Sequence, residues 1–354
     1  LGLGGDYGGS IRVPAHFCGV HGFKPTAGRL TNDDFASGLL HGGQEVIIPQ
    51  PGPLARRVVD LELTMSVLAA TSMELTRDLV APVPWPDGAS VDVTGLRIAM
   101  FTDNGYFAPS PAIRRVVEDA AAALRDLGAA VELVEPPDTG EAVRLFLRVA
   151  SAGGSRDIIE LLGDEDPIPQ VAGILRGARA PAIVKRALAR AMARRGQHHL
   201  SQQIESVHAC SAVAFEQLVE ERNAYRMQFL RALDAGNFDV MLCPPVAVPA
   251  FTHGSSEHLF PAVSYALVPN VLGAPAGVVS LSRVRPGEES DRTPTTDMAD
   301  ITAATVEAGS AGLPIGVQVV GRHWQDHVVL AVMAALERQF AGDADDPASV
   351  ARVV

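Results

Sequence analysis

Cysteine is scarce in this chain: Cys18, Cys210 and Cys243 are the only three in 354 residues, and none forms C-x-x-C. That excludes a disulfide framework and a thiolate zinc site, and it fits a reducing, cytoplasmic compartment. Lysine is scarcer still, with Lys24 and Lys185 the only two among 29 basic residues. An excess of positive charge is also missing. The formal charge of −12 removes the net basic face that nucleic-acid phosphates would need, so no nucleic-acid partner is expected. Ten histidines are scattered, and only His198 and His199 adjoin. Without acidic or cysteine neighbours at ligand spacing they read as a surface pair, so no metal is expected. No apolar run is long enough to span a bilayer, and no secretory leader is visible. The chain starts at Leu1 and not at methionine, so the natural N-terminus is expected to lie upstream.

Against these absences stands a glycine-rich opening, Leu1-Gly2-Leu3-Gly4-Gly5-Asp6-Tyr7-Gly8-Gly9-Ser10. Its backbone can enter φ > 0 and approach a bound group closely, because no Cβ interferes. Successive N–H groups in such a turn point into a concavity that favours negative charge. A serine at the end of that nest has its hydroxyl beside donors for an oxyanion, as acyl transfer requires. A dinucleotide fingerprint G-x-G-x-x-G fails, because Tyr7 or Asp6 falls where a glycine is needed. The nucleophile elbow G-x-S-x-G fails at Arg12. No cofactor is expected.

The segment Asp6-Tyr7-Gly8-Gly9-Ser10-Ile11-Arg12-Val13-Pro14-Ala15, followed by Cys18-Gly19-Val20-His21-Gly22-Phe23-Lys24-Pro25-Thr26-Ala27-Gly28-Arg29, resembles the signature of the amidase signature family. The resemblance continues in Pro51-Gly52-Pro53-Leu54-Ala55-Arg56, in Asp60-Leu61, and in Gly312-Leu313-Pro314-Ile315-Gly316-Val317-Gln318-Val319-Val320-Gly321. Ser264-Tyr265-Ala266-Leu267, Asn270-Val271-Leu272, Pro275 to Val279 and His323 to Asp326 look most like the fatty acid amide hydrolase branch. Gly5 departs from the family, which usually has threonine or serine there.

The resemblance implies a serine hydrolase of linear carboxylic amides with a Ser, cis-Ser, Lys triad. Ser10 matches the acylated nucleophile, and the backbone N–H groups of Tyr7, Gly8, Gly9 and Ser10 match the oxyanion hole. Asp6 and Arg12 are expected to pair or to bond the loop backbone, supporting those donors. The bridging serine and the lysine of the family lie upstream of the nucleophile, and residues 1–9 contain neither. The 354 residues alone are therefore expected to be inactive. Lys24 is read as structural and Lys185 as a solvated charge.

Residues that are 47% hydrophobic can bury a large core. Alternating patterns predict an α/β fold, and the resemblance implies a mixed β-sheet core flanked by helices on both sides, with its N-terminal portion missing. Residues 1–340 are expected to form a single amidase signature domain, with 341–354 a loose tail. The spacing predicts helices over 54–70, 110–127, 205–233 and 325–340, and strands over 96–101, 130–134, 239–242, 276–282 and 314–320. Residues 80–95 read as a connection, and 283–312 as a surface excursion with one helix.

Between Asp166 and Glu205 there is no acid, while Arg176, Arg179, Lys185, Arg186, Arg190, Arg194 and Arg195 supply seven positive charges. Ile183, Val184, Ala187, Leu188, Ala191 and Met192 fall on one helical face, with Lys185, Arg186 and Arg190 toward the other. Such a helix either lies on an anionic membrane or sits on an ordinary surface with its arginines paired to acids. The resemblance favours a cap or lid over 173–195, with peripheral membrane contact. The expected partner is a small-molecule amide, hydrophobic or fatty acyl, and a homodimer stays open. Two alternatives stand beside the amidase: an amidotransferase subunit of the same family, and a truncated, non-catalytic protein.

Overall fold

The computed structural model describes residues 1–32, 44–75, 80–168, 171–173, 175, 177 and 180–347. Among them, eight segments pair into one sheet: β1 (Gly2–Asp6), β2 (His21–Lys24), β3 (Gln50–Ala55), β4 (Arg97–Met100), β5 (Ala130–Leu133), β6 (Val240–Cys243), β7 (Ala276–Arg283) and β8 (Pro314–Gly321). Their spatial order is β1-β3-β2-β7-β8-β6-β4-β5. β4 runs parallel to β5 and β6, and the other neighbours are antiparallel, so the sheet is mixed.

Side chains alternate across a strand, so each apolar strand feeds two cores. Ile98, Met100, Leu242, Val317 and Val319 face one layer, which holds helices Val58–Leu75, Pro111–Asp126 and Asp326–Phe340. Ala99, Met241, Cys243, Ala276 and Val320 face the other, with helices Thr139–Ser151, Ala212–Ala235, Ser264–Leu272 and Met298–Glu307. Helices on both sides of a mixed sheet match the expected α/β architecture. Pro111–Asp126 shows the local logic: proline in the first turn presets φ, and Ile113, Val116, Val117, Ala120, Ala121 and Leu124 bury one stripe.

Three expectations change. The 54–70 helix begins only at Val58, because Pro51-Gly52-Pro53 lies inside β3. Proline is tolerated there because β2 joins β3 only at Leu54 and Ala55, beyond both prolines. The 205–233 helix is broken: one helix ends at Ser206 and the next starts at Ala212. Between them His208 N donates to Ser151 Oγ at 3.0 Å and Cys210 N to Ala152 O at 3.1 Å, so partners elsewhere in the chain satisfy this backbone outside a helix. Ser211 then caps the new helix. Finally, the described part of 341–354 is anchored, with Arg285 Nε on Asp345 at 2.8 Å and Pro347 buried; residues 348–354 lie outside the described residues.

Part of the expected 173–195 cap also falls outside them, at 174, 176, 178 and 179. The helix Ala182–Arg194 is present, with Arg186 and Arg190 exposed, but the face it buries is not the apolar one. Ile183, Val184 and Leu188 are exposed, while Lys185 and Ala189 are buried against helix His198–Ser206. Lys185 is thus not the solvated charge the sequence suggested. Its ammonium donates to Val207 O at 2.8 Å, just past the C-terminal end of that helix, where the dipole favours a cation.

Candidate active site

β1 ends at Asp6, and the chain then turns through Gly8 and Gly9 into the short helix Arg12–Cys18. Gly9 has φ +108, and a Cβ there would stand 2.7 Å from Ala266 Cβ. A Cβ on Gly8 would stand 2.9 Å from Phe146 Cζ. Only glycine lets the turn lie this closely against helices Ser264–Leu272 and Thr139–Ser151. Tyr7 and Phe146 add a tilted ring contact at 5.1 Å.

The turn is held from behind by a buried ion pair. Arg12 Nε donates to Asp6 Oδ2 at 3.0 Å and Arg12 Nη2 to Asp6 Oδ1 at 2.9 Å, a two-pronged geometry with both side chains fully buried. Asp6 also accepts from Gly9 N at 2.8 Å and Ile11 N at 3.3 Å. Burial works to raise the Asp6 pKa, but Arg12, helped by Lys24 and Asn270, lowers it to about 2. Arg12 Nη1 donates to Gln318 Oε1 at 2.6 Å, and Nη2 also reaches Asn270 Oδ1 at 2.5 Å. Asn270 Nδ2 returns a bond to Asp6 Oδ1 at 3.0 Å, and Gln318 Nε2 donates to Tyr265 O at 3.2 Å. The pair's remaining hydrogen-bonding capacity is therefore largely met, which a buried ion pair requires.

Asp6, Arg12 and the Tyr7–Ser10 turn thus come together in space. Asn270 and Gln318 were missed as functional positions. Their signal was a single polar residue inside an apolar run, 265–272 and 314–320, since a polar side chain in a buried run needs a partner. Phe146 had a weaker signal, the Asp138 cap three residues before Glu141 that starts its helix.

Ser10 itself is exposed, and its hydroxyl bonds to no described residue. Among the described residues the N–H groups of Gly8 and Ser10 also have no acceptor, whereas Gly9 N–H is committed to Asp6. Lys24 is buried with Nζ donating to Pro25 O at 2.8 Å. Burial and the nearby Arg12 charge lower its pKa to about 7, with Asp6 and Asp326 pulling the other way. The arrangement therefore presents one exposed hydroxyl at the tip of a rigid, donor-rich turn. Among the described residues no group of three or more His, Cys, Asp or Glu could hold a metal ion, and no helix is long and apolar enough to cross a membrane.

The Amidase family model matches residues 1–330. Fatty-acid amide hydrolase 1 of Sus scrofa is 30% identical over 349 residues, which are 96% of this chain and 59% of that protein. A glutamyl-tRNA(Gln) amidotransferase subunit of Deinococcus radiodurans is 27% identical over 339 residues, covering 95% of this chain and 63% of its own length. A solved fatty acid amide hydrolase has the same fold, with a TM-score of 0.77 at 24% identity over 97% of this chain and 56% of that one. The chain thus spans about 60% of the length of these relatives.

Proposed function

Because the chain belongs to the amidase family, we propose that the whole protein carries out amide hydrolysis through an acyl-enzyme on Ser10. The observation that carries this is the Asp6–Arg12 clamp behind a glycine turn that leaves the Ser10 hydroxyl exposed. Ser10 Oγ attacks the amide carbonyl carbon, and the negative oxygen is met by the N–H groups of Gly8 and Ser10. The C–N bond then breaks, the amine leaves with a proton, and water hydrolyses the ester on Ser10. Tyr7 N–H is a further donor in this proposal, while Gly9 N–H keeps Asp6 in place.

The family resemblance gives proton transfer to a lysine through a bridging serine. Within residues 1–354 neither Lys24 nor Lys185 bonds Ser10, so neither is assigned that role. The proposed substrate is a hydrophobic or fatty acyl amide, supported by the likeness to fatty acid amide hydrolases and by the exposed Ile183, Val184 and Leu188. On this proposal helix Ala182–Arg194 serves as a cap that meets an acyl chain or a membrane surface.

The likeness to amidotransferase subunits, at 27% over 95% of the chain, supports a second proposal, ammonia release for a partner complex. Glutaminase activity and co-purifying subunits would favour it.

The test is hydrolysis of long-chain and short-chain acyl amides by the whole protein and its Ser10→Ala variant, with fluorophosphonate labelling mapped by peptide mass. Labelling at Ser10 and a loss of at least about 10³-fold in kcat are expected for a lost nucleophile. Unchanged turnover in Ser10→Ala overturns the assignment.

A further inference from the structure

Away from Ser10's turn, a cavity of about 300 Å³ opens between helices Ala182–Arg194 and His198–Ser206. Lys185, Arg186 and Arg190 line it from the first helix, and Glu205 and His208 from the other side. Positions 186 and 190 lie one turn apart on a helix, so two guanidinium groups share one stripe, with Lys185 on the adjoining buried side.

Several arginines elsewhere find carboxylates: Arg144 and Arg148 share Glu221, Arg292 reaches Asp300 and Glu307, and Arg115 reaches Asp119 and Glu288. Among the described residues neither Arg186 nor Arg190 bonds a carboxylate, although the chain carries −12. Even Glu205, on the same cavity, bonds neither of them. The local field is positive. Burial lowers the His208 pKa first, and the Arg148, Lys185 and Arg186 charges lower it further.

We propose that this cavity is a binding site for a phosphate-class anion, held by the Arg186 and Arg190 guanidinium groups with Lys185 behind them. Guanidinium forks match the oxygen geometry of a phosphate, and a multiply charged anion offsets several cations at once. The cavity has room for a phosphate with an ester substituent, so the anion is either a soluble phosphate ester or the headgroup of a phospholipid. The site stands independently of amide hydrolysis, and Ser10→Ala leaves it unchanged.

The experiment titrates the protein at low salt with inorganic phosphate and glycerol 3-phosphate by calorimetry, and with phosphatidate vesicles by co-sedimentation. Arg186→Gln/Arg190→Gln is compared with Arg194→Gln/Arg195→Gln, which removes the same charge outside the cavity. Saturable binding of the soluble phosphates, weakened at least tenfold in the first pair and within twofold of wild type in the second, supports a soluble ester. Binding to vesicles alone, with the same difference between the pairs, supports a headgroup. Glu205→Gln tightens either one, because it removes a like charge. No binding in both arms, or equal weakening by both pairs, overturns the site.

Discussion

Arg12 donates to Gln318 Oε1 at 2.6 Å across 306 positions of chain, joining the helix behind Ser10's turn to the central strand β8. The contact places Asp6 at the head of a network that starts in the first strand and ends near the C-terminus. Support for the turn therefore depends on residues that no local motif contains.

Removing the cation should be far worse than removing its far partner. Arg12→Met leaves Asp6 buried without a counter-charge, at a cost of about 3–5 kcal/mol. Gln318→Leu leaves one guanidinium N–H unmet, at about 1–3 kcal/mol. Urea unfolding of the two variants checks the order, and equal stabilities would refute the clamp.

Gly9→Ala places a methyl 2.7 Å from Ala266 Cβ at φ +108. Overpacking of this kind costs about 1–3 kcal/mol, with backbone strain in addition. Adding Ala266→Gly should restore part of the stability, because it removes the clash and leaves the strain. Thermal melts of the single and double variants measure this, and no recovery would show that the clash is not the cause.

Acid should weaken the fold in two steps. His16 is fully buried, with Nδ1 accepting from Gly316 N at 3.1 Å and Nε2 donating to Val248 O at 3.3 Å. Burial holds its pKa down at about 4, against 6.5 when free. Between those values the unfolded chain binds a proton that the native chain does not, so stability rises with pH. It is complete above about 6.5 and lost as pH falls toward 4, by about 3 kcal/mol at ~1.4 kcal/mol per unit. Asp6 adds a second loss of the same sign between 3.8 and about 2. Chemical denaturation against pH should show both limbs, with His16→Gln reducing the upper one, to which His323, held down to about 4 by burial, also contributes. An unchanged upper limb in that variant would remove His16 as a source of it.

The strands rich in β-branched residues and the Pro111–Asp126 helix were legible because their apolar spacing reports burial directly. The break at 207–211 was not, because no glycine or proline marks it and the bonds to Ser151 and Ala152 come from about 57 positions away. The burial of Lys185 and Ala189 in place of the apolar face of Ala182–Arg194 was illegible for a related reason. Periodicity defines two faces but does not say which one meets a neighbouring helix.

By itself the sequence determined the turn at Gly8-Gly9-Ser10, since glycine without Cβ is what permits φ +108 and a close approach to Ala266. It also determined that Asp6 and Arg12 stand near enough to pair. The tertiary structure alone decided that they are buried, that Asn270 and Gln318 complete them, and that Gly9 N–H is turned to Asp6 while the N–H groups of Gly8 and Ser10 have no acceptor among the described residues. Hydrogen-bond satisfaction inside a core is settled by whatever groups the fold brings together, and those here come from opposite ends of the chain.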